Sequence, residues 1–382
     1  MRLGGRIAAA IEVLADIEAR HRPAAEALKD WGTGHRFAGS ADRAAIGNLV
    51  FDCLRQRRSL SWRMGAETPR ALALAAVAGW GLSLQQIEEA LAGDPHAPES
   101  LSEAERAALA TDTLGEAPDE VRADMPDWLW PGFSASLTEN AVAEGRALAA
   151  RAPLDLRVNR LKSDRDKVLK ALSRFGARPT ELSPDGVRID APAGLERLPN
   201  IQAEAAFRKG WFEVQDEGSQ VAAVLSGAKP GDQVADICAG AGGKTLALAA
   251  MMENKGQIHA YDADRHRLKN IFGRLKRAGT RNVQVHSPGE GDPLASLEGK
   301  MDIVFIDAPC SGSGVWRRHP DAKWRMKPEA LARRMEDQRA VLDRGAELVR
   351  PGGRLVYVTC SLLAEENGEQ VLAFLRQNKD FA

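Results

Sequence analysis

Met301-Asp302-Ile303-Val304-Phe305-Ile306-Asp307-Ala308-Pro309-Cys310-Ser311-Gly312 is the stretch that decides how this chain reads. Its first six residues form an almost continuous apolar run, the pattern of a strand buried in a parallel sheet, and the run ends in an acid. In open α/β sheets the chemistry sits beyond the carboxyl ends of the strands, which puts Asp307 and Cys310 at the edge of a site. The arrangement recurs at Arg354-Leu355-Val356-Tyr357-Val358-Thr359-Cys360-Ser361. Two strand ends that each deliver a cysteine followed by a serine point to one pocket holding two thiols.

Working outward, strands and helices alternate from Val221 onward, which predicts a doubly wound α/β sheet. Its first unit is Gln233-Val234-Ala235-Asp236-Ile237 followed by Cys238-Ala239-Gly240-Ala241-Gly242-Gly243-Lys244-Thr245, with a helix from about Leu246. The glycines permit a tight strand-to-helix turn and close approach of a ligand to the backbone. Gly-Lys-Thr invites a phosphate-loop reading, but that motif requires glycine where Cys238 stands. The second strand, Gln257 to Tyr261, leads into Asp262, an acid placed to accept ribose hydroxyls from a nucleoside cofactor. A helix over Arg265 to Ala278, a third strand over Asn282 to His286, a long helix over Pro328 to Val349 and a last helix over Glu365 to Gln377 complete the unit. The further strands expected to close such a sheet are absent from residues 226–382, so the expectation is a truncated chain or a short sheet.

Upstream, residues 1–140 read as nearly all helix, with Ser40 as one helix cap and Cys53 as a packed thiol. Trp128 and Trp130 read as anchors between domains. Residues 150–225 change to short strands at Leu154-Asp155-Leu156-Arg157-Val158-Asn159-Arg160, Val187 to Ile189 and Trp211 to Gln215, around a helix over Asp164 to Phe175; a small α/β module fits. A chain of 382 residues accommodates these three domains.

Composition narrows the function. Net charge is −1, so the molecule is no polycation, yet Arg265 to Arg281 and Arg317 to Arg334 are rich in arginine and lysine and flank the proposed pocket. Two basic runs beside one site favour a polyanionic substrate. The four cysteines, Cys53, Cys238, Cys310 and Cys360, are too widely spaced for a disulfide framework or a zinc site and read as reduced thiols. No apolar run approaches the roughly 20 residues that span a bilayer, so no membrane partner is expected and the cytoplasm is the default.

These residues resemble the RNA cytosine-C5 methyltransferases of the Fmu/RsmB (Sun) type. The resemblance rests on Asp307-Ala308-Pro309-Cys310-Ser311, on Arg317-Arg318-His319-Pro320-Asp321-Ala322-Lys323-Trp324, and on Thr359-Cys360-Ser361 before Glu365-Glu366-Asn367. It implies a NusB-like helical RNA-binding domain, a small intermediate module and a class I methyltransferase domain that uses S-adenosyl-L-methionine, acting as a monomer without metal on RNA of the 16S ribosomal type. Cys238, Ala239, Gly240, Ala241, Gly242, Gly243 and Lys244 would hold the methionine part of the cofactor and Asp262 its ribose. Asp307 would lie beside the methionine amine and the target base. Gly240-Ala241 replaces the family's usual Ala-Pro. The adenine contact falls to Glu290, with Asp292 as its rival, because the family's usual Gly-Asp appears here as Gly289-Glu290.

The resemblance also assigns the chemistry. Cytosine C5 is a poor nucleophile, and addition of a thiolate at C6 turns the ring into an enamine that accepts a methyl at C5. Cys360 is the expected nucleophile, Asp307 the group that meets the charge at N3, and Cys310 the thiol that assists elimination; Cys310 as nucleophile is the competing assignment. Arg317, Arg318, Lys323, Arg157 and Asn159 are the expected RNA contacts, with Trp316 or Trp324 as stacking surfaces. An assembly factor that has lost catalysis, a transfer RNA methyltransferase and a DNA enzyme are the alternative readings.

Overall fold

The computed structural model describes all 382 residues. Ten α-helices run from Leu3–Arg20 to Ala141–Leu148, and the first seven close on a core that includes Ile7, Leu14, Ile46, Leu49 and Leu74. Cys53 lies fully inside this core, as its apolar neighbours predict. Ser40 is the first residue of its helix and not its cap, since Gly39 occupies the cap position. No helix is long and apolar enough to cross a membrane.

Four strands follow, β1 (Leu154–Val158), β2 (Arg178–Pro179), β3 (Gly186–Ile189) and β4 (Phe212–Val214), in an antiparallel sheet of order β2-β3-β1-β4. Leu156, Val158, Val187 and Phe212 alternate inward onto a core shared with Val168 and Leu172.

The last sheet is parallel throughout: β5 (Gln233–Asp236), β6 (Gln257–Tyr261), β7 (Val283–His286), β8 (Met301–Asp307) and β9 (Val349–Val358), in the order β7-β6-β5-β8-β9. This is the doubly wound α/β sheet that the alternation predicts. The chain winds from β5 outward through β6 and β7, then returns to place β8 on the other side of β5. Such a reversal opens a crevice at the carboxyl ends of β5 and β8, where ligands bind in this architecture. The helix expected as one piece over Arg265 to Ala278 is broken into Arg265–Leu268 and Ile271–Ala278.

The helical region is joined tightly to the parallel-sheet domain. Trp316, fully buried, packs with Met125, Phe133, Leu129 and Leu363. Burying an indole of this size contributes roughly 4 to 6 kcal/mol before entropy is counted. Trp130 packs at the edge of the same cluster, whereas Trp128 is exposed, so only one of the two expected anchors is one.

Candidate active site

The two thiols meet because β8 and β9 are parallel neighbours in register. Asp307 pairs with Val358, and the Ala308 N–H donates to the Val358 carbonyl at 2.8 Å, so the turns after the two strands leave side by side. Cys310 Sγ and Cys360 Sγ lie 3.4 Å apart, Cys360 exposed and Cys310 half-buried. Hydroxyls lock the turns together: Ser361 Oγ is 3.2 Å from both Ser311 Oγ and Ser313 Oγ, and the Gly314 N–H donates to the Cys360 carbonyl at 2.8 Å. Beneath them, the fully buried Glu366 accepts from the Ser311 N–H at 2.7 Å and from Gln338 Nε2 at 3.0 Å, while Gln338 also donates to the Pro309 carbonyl.

The hydrogen bond between the thiols lowers the pKa of Cys310 and raises that of Cys360. The two thiols therefore titrate as a pair, Cys310 giving up its proton more readily than Cys360. Asp307, at the end of β8, accepts from Lys244 Nζ at 2.8 Å. Cys238 is no rival to the pair: burial, with Asp236, Asp262 and Asp307 nearby, pushes its thiol well up and keeps it neutral.

The turn after β5 lies between these groups and β6. Gly240 and Gly242 have φ of +52° and +83°, which an L side chain resists, and a Cβ on Gly242 would stand 2.5 Å from Ile271 Cγ1. Asp262 Oδ2 accepts from the Gly240 N–H at 2.7 Å, and its Oδ1 accepts from the Asp264 N–H. The acid expected to meet a ribose therefore also ties the loop to β6. Asp236, buried without solvent exposure, accepts from Thr245 Oγ1 at 2.6 Å and leaves its Oδ1 without a partner; burial lifts its carboxyl to about 7. Glu290 is exposed and takes part in no hydrogen bond or ion pair, whereas Asp292 pairs with Arg344 and accepts from the Leu294 N–H.

Most of the expected RNA contacts are elsewhere engaged. Lys323 is 2% exposed and donates to the carbonyls of Asp124 and Arg55, pinning the helix Pro320–Arg325 to the helical region. Arg157 and Asn159 are buried where the antiparallel sheet meets the parallel one: Arg157 donates to Gln215 and to the Gly243 carbonyl, Asn159 to the carbonyls of Gly210 and Ala278. Arg318 pairs with Asp216 and donates to the Pro153 carbonyl. These four positions are corrections, because their polar atoms already bind the protein itself. Arg317 keeps a half-exposed side chain, 3.8 Å from Asp216. Trp316 is buried, and Trp324 Nε1 donates to the Leu54 carbonyl, so neither is a free stacking surface. In the helical region Arg55 donates to the Arg317 carbonyl, Arg57 to Glu67 and Arg58 to the Met125 carbonyl.

Asp236, Gln338 and Glu366 escape the sequence reading. Asp236 carried a signal, as an acid ending the strand before the glycine-rich turn, and Glu366 stood in the quoted Glu365-Glu366-Asn367 without a role; Gln338 carried none beyond a polar residue whose burial only the fold reveals. Two cavities of about 700 and 750 Å³, one lined by Trp31 and His35 and one by Tyr357 and Phe374, are lined by neither thiol.

Residues 223–382 match the family model described as 16S rRNA methyltransferase RsmB/F, and residues 125–196 match the ferredoxin-like domain of the same proteins. The chain belongs to the RsmB/F family of methyltransferases. Over 266 residues it is 35% identical to "Ribosomal RNA small subunit methyltransferase B" of Citrobacter koseri, a match covering 69% of this chain and 60% of that protein. The chain thus spans about 60% of the length of that curated relative. Among solved structures it is similar to PH0851, with a TM-score of 0.72 and 26% identity over 99% of this chain and 91% of that one. A methyltransferase homolog protein from Pyrococcus horikoshii gives a TM-score of 0.57 and 28% identity, covering 70% of this chain and 83% of that one.

Proposed function

We propose that this RsmB/F-family chain transfers a methyl group from S-adenosyl-L-methionine to C5 of a cytosine in RNA, with small-subunit ribosomal RNA as substrate and Cys360 as the nucleophile. The observation that carries this reading is the 3.4 Å separation of two thiols beside the Lys244–Asp307 pair at the carboxyl edge of the sheet.

The residues present suit the cofactor. Gly240 and Gly242 shape a turn whose backbone a ligand can approach, and the first N–H groups of the helix Gly243–Met251 have no partner within that helix. Asp262 and Asp307 end flanking strands, suited to the ribose and the methionine amine. The cofactor supplies an electrophilic methyl on its sulfonium. The chain's own groups do the rest.

Cys360 loses its proton to solvent as its Sγ bonds to cytosine C6, and a proton relayed from the Lys244 ammonium through Asp307 meets the charge at N3. The enamine then has electron density at C5 to accept the methyl, and the N3 proton returns. Cys310, having passed its proton to solvent, removes the hydrogen from C5; that electron pair forms the C5–C6 double bond as the C6–S bond breaks and returns the Cys360 thiolate. The greater exposure of Cys360 favours it over Cys310 as the atom that reaches the base. A duplex hides C6, so the target cytosine is single-stranded or flipped.

The test is transfer of labelled methyl to small-subunit ribosomal RNA. Cys360→Ala should abolish transfer and leave binding of S-adenosylhomocysteine unchanged; full activity in that variant would refute the assignment.

A further inference from the structure

The polar network between the antiparallel sheet and the glycine-rich turn has no role in the chemistry above. Arg157, on β1, and Glu213, on β4, face one another in register, and both are buried. Arg157 Nη1 donates to the Gly243 carbonyl at 2.8 Å. Glu213 accepts from Arg274 at 3.0 Å and from Arg277 at 2.6 Å, and Arg274 Nη1 donates to the Ala241 carbonyl at 2.9 Å. Two guanidinium groups therefore hold two carbonyls of one seven-residue turn, and both belong to a charge network centred on a glutamate of the other sheet.

We propose that Arg157 and Arg274 are positioning residues for the cofactor, through which the antiparallel module sets the conformation of the turn that binds S-adenosyl-L-methionine. The inference rests on the cofactor reading given above. A peptide unit is planar and trans, so fixing the Gly243 carbonyl toward Arg157 aims the Lys244 N–H the opposite way. That N–H is among the unpartnered donors at the start of the helix Gly243–Met251, the groups available to a carboxylate. The Ala241 carbonyl, held by Arg274, likewise fixes the Gly242 N–H, which donates back to the Ala239 carbonyl at 2.8 Å and closes the turn. Glycine-rich turns have wide conformational freedom, and each added restraint lowers the ordering cost at binding. Burial of Arg157 also explains why this arginine is unavailable to RNA: burial pulls its pKa down to about 10, and its Nη1 is engaged by Gln215 and the Gly243 carbonyl.

Isothermal titration of the full chain with S-adenosylhomocysteine, alongside RNA binding followed by filter retention, tests this. Arg157→Gln and Arg274→Gln should each raise the Kd for S-adenosylhomocysteine at least tenfold with RNA affinity within twofold of the unaltered chain, and Arg157→Lys should recover part of the loss. Arg274 is half-exposed at the module boundary, so its variant keeps the test open if Arg157→Gln fails to fold. A cofactor Kd within twofold of the unaltered chain in the folded variants would overturn the inference, as would equal losses of cofactor and RNA affinity. Failure of the unaltered chain to bind S-adenosylhomocysteine would refute the cofactor reading itself.

Discussion

Cys310 Sγ and Cys360 Sγ stand 3.4 Å apart although 50 residues separate them in the chain. The contact is produced by the parallel pairing of β8 with β9, which brings Asp307 opposite Val358 and sends both following turns out of the same edge. The two cysteines are therefore one chemical unit.

Proximity of this kind predicts facile oxidation. A thiol-specific azo oxidant such as diamide should join Cys310 and Cys360, removing two hydrogens to the oxidant, while Cys53 stays reduced because it is buried and Cys238 because its thiol is held neutral. Peptide mapping by mass spectrometry checks this. Two of the four thiols should be lost and returned by dithiothreitol.

Gly314 abuts the peptide of Cys360, the proposed nucleophile. A Cβ there would stand 2.6 Å from the Cys360 carbonyl oxygen, closer than backbone tolerates, so Gly314→Ala must displace the Cys360 turn. Methyl transfer should fall on the order of 100-fold, since small misplacements of a reacting group cost about that much. Binding of S-adenosylhomocysteine, measured by titration, should not change.

The buried Asp236 carboxyl predicts a pH dependence. Burial raises it to about 7, whereas an unperturbed aspartate ionises near ~3.9. The folded chain thus holds a proton that the unfolded chain releases, so this stabilisation is full below about pH 4 and is lost as pH rises to about 7. Asp236→Asn should flatten the stability profile across that window and stabilise the fold above pH 7 by on the order of 1 to 4 kcal/mol. Urea unfolding at several pH values measures it.

Lys323 separates a structural role from an RNA role. Its Nζ donates to two buried carbonyls and sits near the Asp124 carboxylate, so Lys323→Met should destabilise the chain by about 3 kcal/mol. A phosphate contact would instead make RNA affinity less dependent on salt when removed. The salt dependence should be unchanged, as binding titrations at several ionic strengths will report.

Much of the architecture was legible because buried parallel strands are written as apolar runs that end in the acids of the site. Asp262 and Asp307 could be located at strand ends, and the two cysteines at one pocket, from pattern alone. The misread residues are mostly charged ones. Lys323, Arg157 and Arg318 look like phosphate contacts in a sequence, since nothing local to them reveals that Asp124, the Gly243 carbonyl and Asp216 arrive from distant segments to satisfy them. For the same reason the pairing of Gln338 with Glu366 was invisible: a buried polar pair is defined by what closes over it. The long helix expected over Arg265 to Ala278 had the right apolar spacing, but it breaks at Lys269 and Asn270.

The central claim is that Cys360 forms the bond to cytosine and Cys310 is needed to release it. Cys310→Ala chain incubated with substrate RNA and S-adenosyl-L-methionine, then run on a denaturing gel, tests this directly. The account predicts a retarded protein–RNA band that accumulates with Cys310→Ala and is absent from the Cys310→Ala/Cys360→Ala double variant. A band that persists without Cys360, or one that forms only when Cys310 is intact, would contradict it.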